Sequence, residues 1–176
     1  MRTRDNRKST HQLNPNESTR WQTTKGEGGV NAAFLQEIKD ENTQLQQTQR
    51  SLDELAESNA SLSMFAEMLG QYRDQLAWHF AMEEKLGYLD EAIDVAPRLC
   101  REAQRLRNEH GTLYEELSNI ADVAIELCYH APEGRSEAFG AIRRQYFQFA
   151  SRLKRHNMSE EDLIIDALYF DIGGGD

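Results

Sequence analysis

A chain of 176 residues with a net charge of −10 is long enough to bury the core of one domain. Its acidity disfavours nucleic acid and anionic membranes as partners. No run approaches the roughly 18 apolar residues that a membrane span requires, and no secretory signal follows the basic start, so the expected compartment is the cytoplasm. Only three prolines occur, and Leu, Glu, Gln, Ala and Arg dominate, which favours helix.

Residues 1–30 carry six Lys/Arg against three acids and end in Gly26, Gly28 and Gly29. They lack periodicity and are expected to form a disordered polar leader, leaving 31–176 as the folded domain. The first predicted helix runs from an N-cap at Asn31 to about Ser58, with the stripe Phe34, Ile38, Asn42, Leu45, Gln49, Leu52 and Ala56. The second runs from about Ser61 to Asp90, through Leu62, Phe65, Leu69, Tyr72, Leu76, His79, Phe80, Glu83 and Leu86. A connection near Asp94 leads to Pro97, which suits the first turn of a third helix reaching Tyr129. That stripe is Leu99, Ala103, Leu106, His110, Leu113, Leu117, Ile120, Ala124 and Leu127. His130 to Arg135, with Pro132 and Gly134, is a strong break, after which Ser136 is expected to cap the fourth helix. Its stripe is Phe139, Ile142, Tyr146, Phe149, Leu153, His156, Glu160, Leu163, Ala167 and Phe170, before a glycine tract that ends it. The fold class is therefore all-α, an up-down-up-down four-helix bundle.

Polar residues interrupt these stripes. His79 and Glu83, His156 and Glu160, and His110 all stand in core-facing rows. An i, i+4 pair lies about 6 Å apart along the axis and about 40° around it, so both side chains lean the same way. An unpartnered buried carboxylate costs several kcal/mol. A divalent cation removes that penalty, and imidazole with carboxylate suits iron, manganese or zinc. The levels agree, because His110 lies about as far before one turn as His156 lies after it. Glu41-Asn42 followed by His79, Glu83 and Glu84 also mirrors Glu109-His110 followed by His156, Glu160 and Glu161.

The blander readings are plain. A single H-x3-E pair on a helix is usually an ordinary hydrogen-bonded pair. Glu84 and Glu161 fall off the stripe centres and read as solvated, with a turn inward as the alternative. His11 and His130 read as surface residues, and Met64, Met68 and Met82 as packing. Cys100 and Cys128 lie 28 residues apart on one predicted helix, about 42 Å, too far to pair. Both are expected to be small buried residues.

The ordered set His79/Glu83, His110 and His156/Glu160, with the phrases HFAMEEKLGYL, LRNEHGTLYEEL and LIIDALYFDIGGGD, resembles the hemerythrin-like cation-binding family. The position matching that family's first-helix histidine is Asn42. The resemblance implies a non-haem iron site of one or two ions, with manganese or zinc as alternatives. Its metal residues would be His79, Glu83, His110, His156 and Glu160. It implies binding or sensing of O2 or a related diatomic ligand more than catalysis. The competing readings are a di-iron oxidase, peroxidase or nitric oxide-handling enzyme, and a metal-deficient bundle that acts as a protein-interaction module. The ferritin-like di-iron bundle is set aside, because no E-x-x-H occurs.

Overall fold

The computed structural model describes residues 32–58, 60–129 and 135–171. Side chains 32–39, 41, 91 and 168–171 are outside the description. The expected leader, the Asn31 cap, the outer stripe positions Phe34, Ile38 and Phe170, both surface histidines and the Pro132 break thus lie outside the described residues. Within them the chain is all-helical, with no strand. Helix α1 spans Ala32–Glu57, α2 Leu62–Leu86, α3 Asp90–Val95, α4 Cys100–Tyr129 and α5 Arg135–Asp171. A 3-10 turn over Pro97–Leu99 leads into α4, with Pro97 in its first turn. No described helix is long and apolar enough to cross a membrane.

The link between α1 and α2 has no glycine among its described residues. Ser58 makes the turn, its hydroxyl donating to the Leu55 carbonyl and accepting from the Ala60 amide. Ser61 then caps α2 by accepting from the Met64 amide.

The second helix ends earlier than its periodicity predicts. Gly87 takes the left-handed conformation at φ 63°, and α2 stops at Leu86. The Tyr88 amide donates to the Glu83 carbonyl and the Gly87 amide to that of Glu84, the two bonds of a Schellman termination. Leu86, expected in the core, is exposed as a result. The chain then forms α3, which the sequence reading missed. Only six residues long, α3 is too short to show a helical period. At α5 the helix already includes Arg135, so Ser136 sits inside the first turn and is not its cap.

The apolar stripes meet as expected, but they make two clusters. The larger joins Leu52, Phe65, Leu69, Leu76, Leu117 and Phe149 with their neighbours from α1, α2, α4 and α5. The smaller joins Leu89, Ala92 and Ala96, around α3, to Ala103, Leu106, Leu163 and Ala167. Cross-helix ion pairs fix the registers. Arg73 reaches Asp122, Arg107 reaches Asp90, Arg152 reaches Glu116, and Arg98 reaches Asp166 at 2.8 Å. Cys100 is exposed, contrary to expectation, because the first residue of α4 stands outside both clusters. Cys128 is half-buried, and both cysteines are free. Met64 is likewise exposed and is not core packing.

Gly87 is the residue most exposed to backbone strain. A Cβ there would also press on the Asp90 side chain, which pairs with Arg107. Gly87→Ala is expected to lower stability by about 1–2 kcal/mol. Urea unfolding tests this, and an unchanged midpoint would contradict the termination described.

Candidate metal centre

The five residues singled out by the sequence lie at one level between the two apolar clusters. Helix periodicity delivers them there. His79 and Glu83 occupy successive turns of α2, His110 the middle of the α4 stripe, and His156 and Glu160 successive turns of α5.

Their contacts form an alternating row. His79 Nε2 stands 3.0 Å from Glu83 Oε1, and Glu83 Oε2 lies 3.6 Å from His110 Nε2. The same His110 Nε2 is 3.3 Å from Glu160 Oε1, which is 3.4 Å from His156 Nε2. Each carboxylate thus stands between two imidazoles. His110, His156 and Glu160 are the most compact part, with one donor atom from each within 4.8 Å of the others. The two rings meet edge to face at 5.0 Å, and Phe80 stacks on His110 at 4.2 Å with planes 6° apart.

Burial falls off across the row. The side chains of His156, His110 and His79 are 1%, 4% and 23% exposed. His79 was expected in the core but lies half-buried, because it borders a groove of about 350 Å³ between α1 and α2. Gln44, Leu45, Gln75 and Trp78 line that groove with it.

Asn42 is not part of the row. Its side chain is exposed, and its Oδ1 accepts from Gln46 Nε2 one turn along α1 at 3.4 Å. Leu45, about one turn along α1 from Asn42, is by contrast buried in the larger cluster. Among the described side chains, α1 brings no imidazole or carboxylate into the row.

Two further acids, not assigned to the site by the sequence reading, complete it. His156 Nδ1 lies 3.0 Å from Glu109 Oε2, and His110 Nδ1 lies 3.3 Å from Glu84 Oε1. Glu84 is exposed, as expected of its place off the stripe, yet its carboxylate turns inward to the ring. The only sequence signal for either was adjacency to a row residue. Tyr88, just beyond Gly87, is exposed but feels the row's charge. Burial first, and then the negative charge of Glu83, Glu160 and Glu161, raises its phenol above the ordinary value.

Ionisation follows from this geometry. Burial alone would raise Glu160, but His110 and His156 outweigh it and hold the carboxyl down at about 2. Burial would lower His156, but Glu160 and Glu109 more than offset it and raise its value above 6.5. Two buried atoms in the row, Glu83 Oε2 and His156 Nε2, have no hydrogen-bond partner. The donor set of nitrogen and carboxylate oxygen, with two buried atoms left without hydrogen-bond partners, fits a divalent transition metal.

The sequence model of the hemerythrin HHE cation-binding domain matches residues 33–168. No curated protein matches the chain. No solved structure matches it either.

In metal-stripped protein the row must be held by protons, which fixes the pH dependence. A raised His156 stabilises the fold fully below 6.5 and loses that contribution as pH rises through its folded-state value. A depressed Glu160 stabilises above 4.5 and loses its contribution as pH falls toward about 2. Chelator-treated protein is therefore expected to be most stable between 4.5 and 6.5. Above that window stability should fall by at most about 1.4 kcal/mol per pH unit for the one proton. Denaturant titrations across pH read this out, and His156→Gln should flatten the alkaline limb.

Proposed function

The chain belongs to the hemerythrin HHE cation-binding family, and we propose that its buried row holds non-haem iron, as one or two ions, for binding or sensing O2 or a related small ligand. The observation that carries this is a set of acceptors aimed at one another. Glu160 Oε1 is within 3.4 Å of two imidazole nitrogens, and Glu83 Oε2 is buried without a hydrogen-bond partner. Positive charge between them relieves that arrangement. A proton serves one pair at a time, whereas a cation serves several together.

In this reading His79, His110 and His156 would hold the metal through ring nitrogens, and Glu83 and Glu160 through carboxylate oxygens. Iron supplies an open coordination position and a one-electron couple. The protein's part is orientation and exclusion of water. Phe80 covers the face of His110, and Leu76, Leu113, Phe149 and Leu153 on one side face Leu106 and Leu163 on the other. The His110/His156/Glu160 end is the closed half and binds first. The His79 end, half-buried beside its groove, is the more open half. The same reading takes the four long helices as an up-down-up-down bundle, with α3 an addition that closes one end.

Anaerobic iron(II) loading followed by metal analysis tests the proposal. Wild type should retain iron, and His110→Ala or His156→Ala should lose it. Asn42→His should leave the content unchanged, since that side chain lies outside the row. Iron below about a tenth of an equivalent in loaded wild type would overturn the reading and favour an interaction module. An absorption band that appears with air and reverses under vacuum supports a carrier or sensor. Turnover of peroxide or nitric oxide would instead support the enzyme.

A further inference from the structure

We infer that Glu84 and Glu109 are positioning residues that fix His110 and His156 as Nδ1–H tautomers, with both Nε2 atoms turned into the row. The inference takes its purpose from the metal reading, but its geometry stands apart from it.

Both rings show the same arrangement. Each presents Nε2 to Glu160 Oε1, at 3.3 Å from His110 and 3.4 Å from His156. Each presents Nδ1 to a carboxylate from a neighbouring helix, Glu84 of α2 for His110 and Glu109 of α4 for His156. An ionised carboxylate only accepts, so a neutral ring with one hydrogen serves either its Nδ1 partner or Glu160. Glu160 Oε1 is shared by the two Nε2 atoms, whereas each Nδ1 has a carboxylate of its own, which favours the hydrogen on Nδ1. In a neutral ring that leaves the Nε2 lone pair facing inward, the state a metal ligand needs. A free histidine holds no such preference, and ring rotation is open to it.

The straps differ in strength. Glu109 is itself held, because its other oxygen pairs with Arg105, which also binds Glu102 at 2.5 Å. Its side chain is 36% exposed and its contact with His156 is 3.0 Å. Glu84 is 56% exposed and reaches His110 at 3.3 Å. Glu109 is therefore the firmer restraint, and it acts on the more deeply buried ring. His79 makes a different contact. Its Nε2 bonds Glu83 on its own helix.

Carboxylate partners of this kind orient a ligating ring and raise its basicity, and their loss weakens metal binding by about 10- to 100-fold. The test uses Glu109→Met and Glu84→Met, which keep chain length but remove the acceptor. Glu116→Met is the control, because Glu116 lies on the same face of α4 and pairs with Arg152, not with a histidine. Glutamine at 109 retains an acceptor oxygen and serves as the rescue variant.

Two measurements are made on each full-length protein. The first is the tautomer of each ring in metal-stripped protein at alkaline pH, from long-range nitrogen–proton NMR. The second is iron(II) affinity by chelator competition. Wild type should show Nδ1–H at His110 and His156. Glu109→Met should release His156 alone and lower affinity about 10- to 100-fold. Glu84→Met should release His110 alone, with a smaller loss. Glu109→Gln should keep the wild-type tautomer, and Glu116→Met should match wild type in both readouts. Nε2–H at either ring in wild type would overturn the inference. Unchanged tautomers in both methionine variants would do the same. Correct tautomers in a wild type that takes up no iron would support the ring assignment and overturn only the proposed function.

Discussion

The structure depends on a buried row in which acceptors face acceptors. Three imidazoles alternate with two carboxylates across α2, α4 and α5, within 3.0 to 3.6 Å of one another. Apolar packing brings the helices together, but packing alone leaves this layer unsatisfied. A neutral imidazole has one hydrogen, so His110 and His156, each with two carboxylate neighbours, leave one nitrogen lone pair facing a carboxylate. Protons relieve it in part, as the opposed shifts of Glu160 and His156 show. Replacing either end with an apolar residue removes the conflict outright. A buried ionic layer of this kind contributes little to a bundle's stability, and its cost is consistent with the cation-binding character of the family.

The gradient of burial along the row gives the site a direction. His156 and His110 are shut between α4 and α5 and strapped from behind by Glu109 and Glu84. His79 borders the groove between α1 and α2 and is bonded within its own helix. Rigid donors bind an ion with little reorganisation, and a half-open position admits an outside ligand. Both properties follow from the burial gradient, deepest at His156 and least at His79.

Much of this was legible in the sequence. The i, i+4 pairs and their matching levels placed His79, Glu83, His110, His156 and Glu160 in one layer, because a helical period fixes both the face and the height of a side chain. Three things were not legible. Asn42 resembles its counterpart in local sequence, but a short motif does not say which way a side chain faces, and this one is exposed. Glu84 and Glu109 sit off the stripes, where periodicity reports solvent exposure and says nothing of how far a flexible carboxylate reaches back. Gly87 carried the usual signal of a helix end, yet the apolar residues on either side of it, Leu86, Tyr88 and Leu89, seemed to continue the pattern and masked the stop.

That missed stop explains the dryness of the site. Ending α2 at Gly87 sends the chain across the end of the bundle as α3, where Leu89, Ala92 and Ala96 cover Ala103, Leu106, Leu163 and Ala167. Had α2 run on to Asp90 in a straight line, those residues of α4 and α5 would form an open end. Water would then stand one helical turn below His110 and Glu160. A low local dielectric strengthens every charge interaction in the row, and it survives only where apolar atoms close both sides. The larger cluster closes one side through the long helices. The other side is closed by a six-residue helix that exists because a single glycine ends its predecessor early.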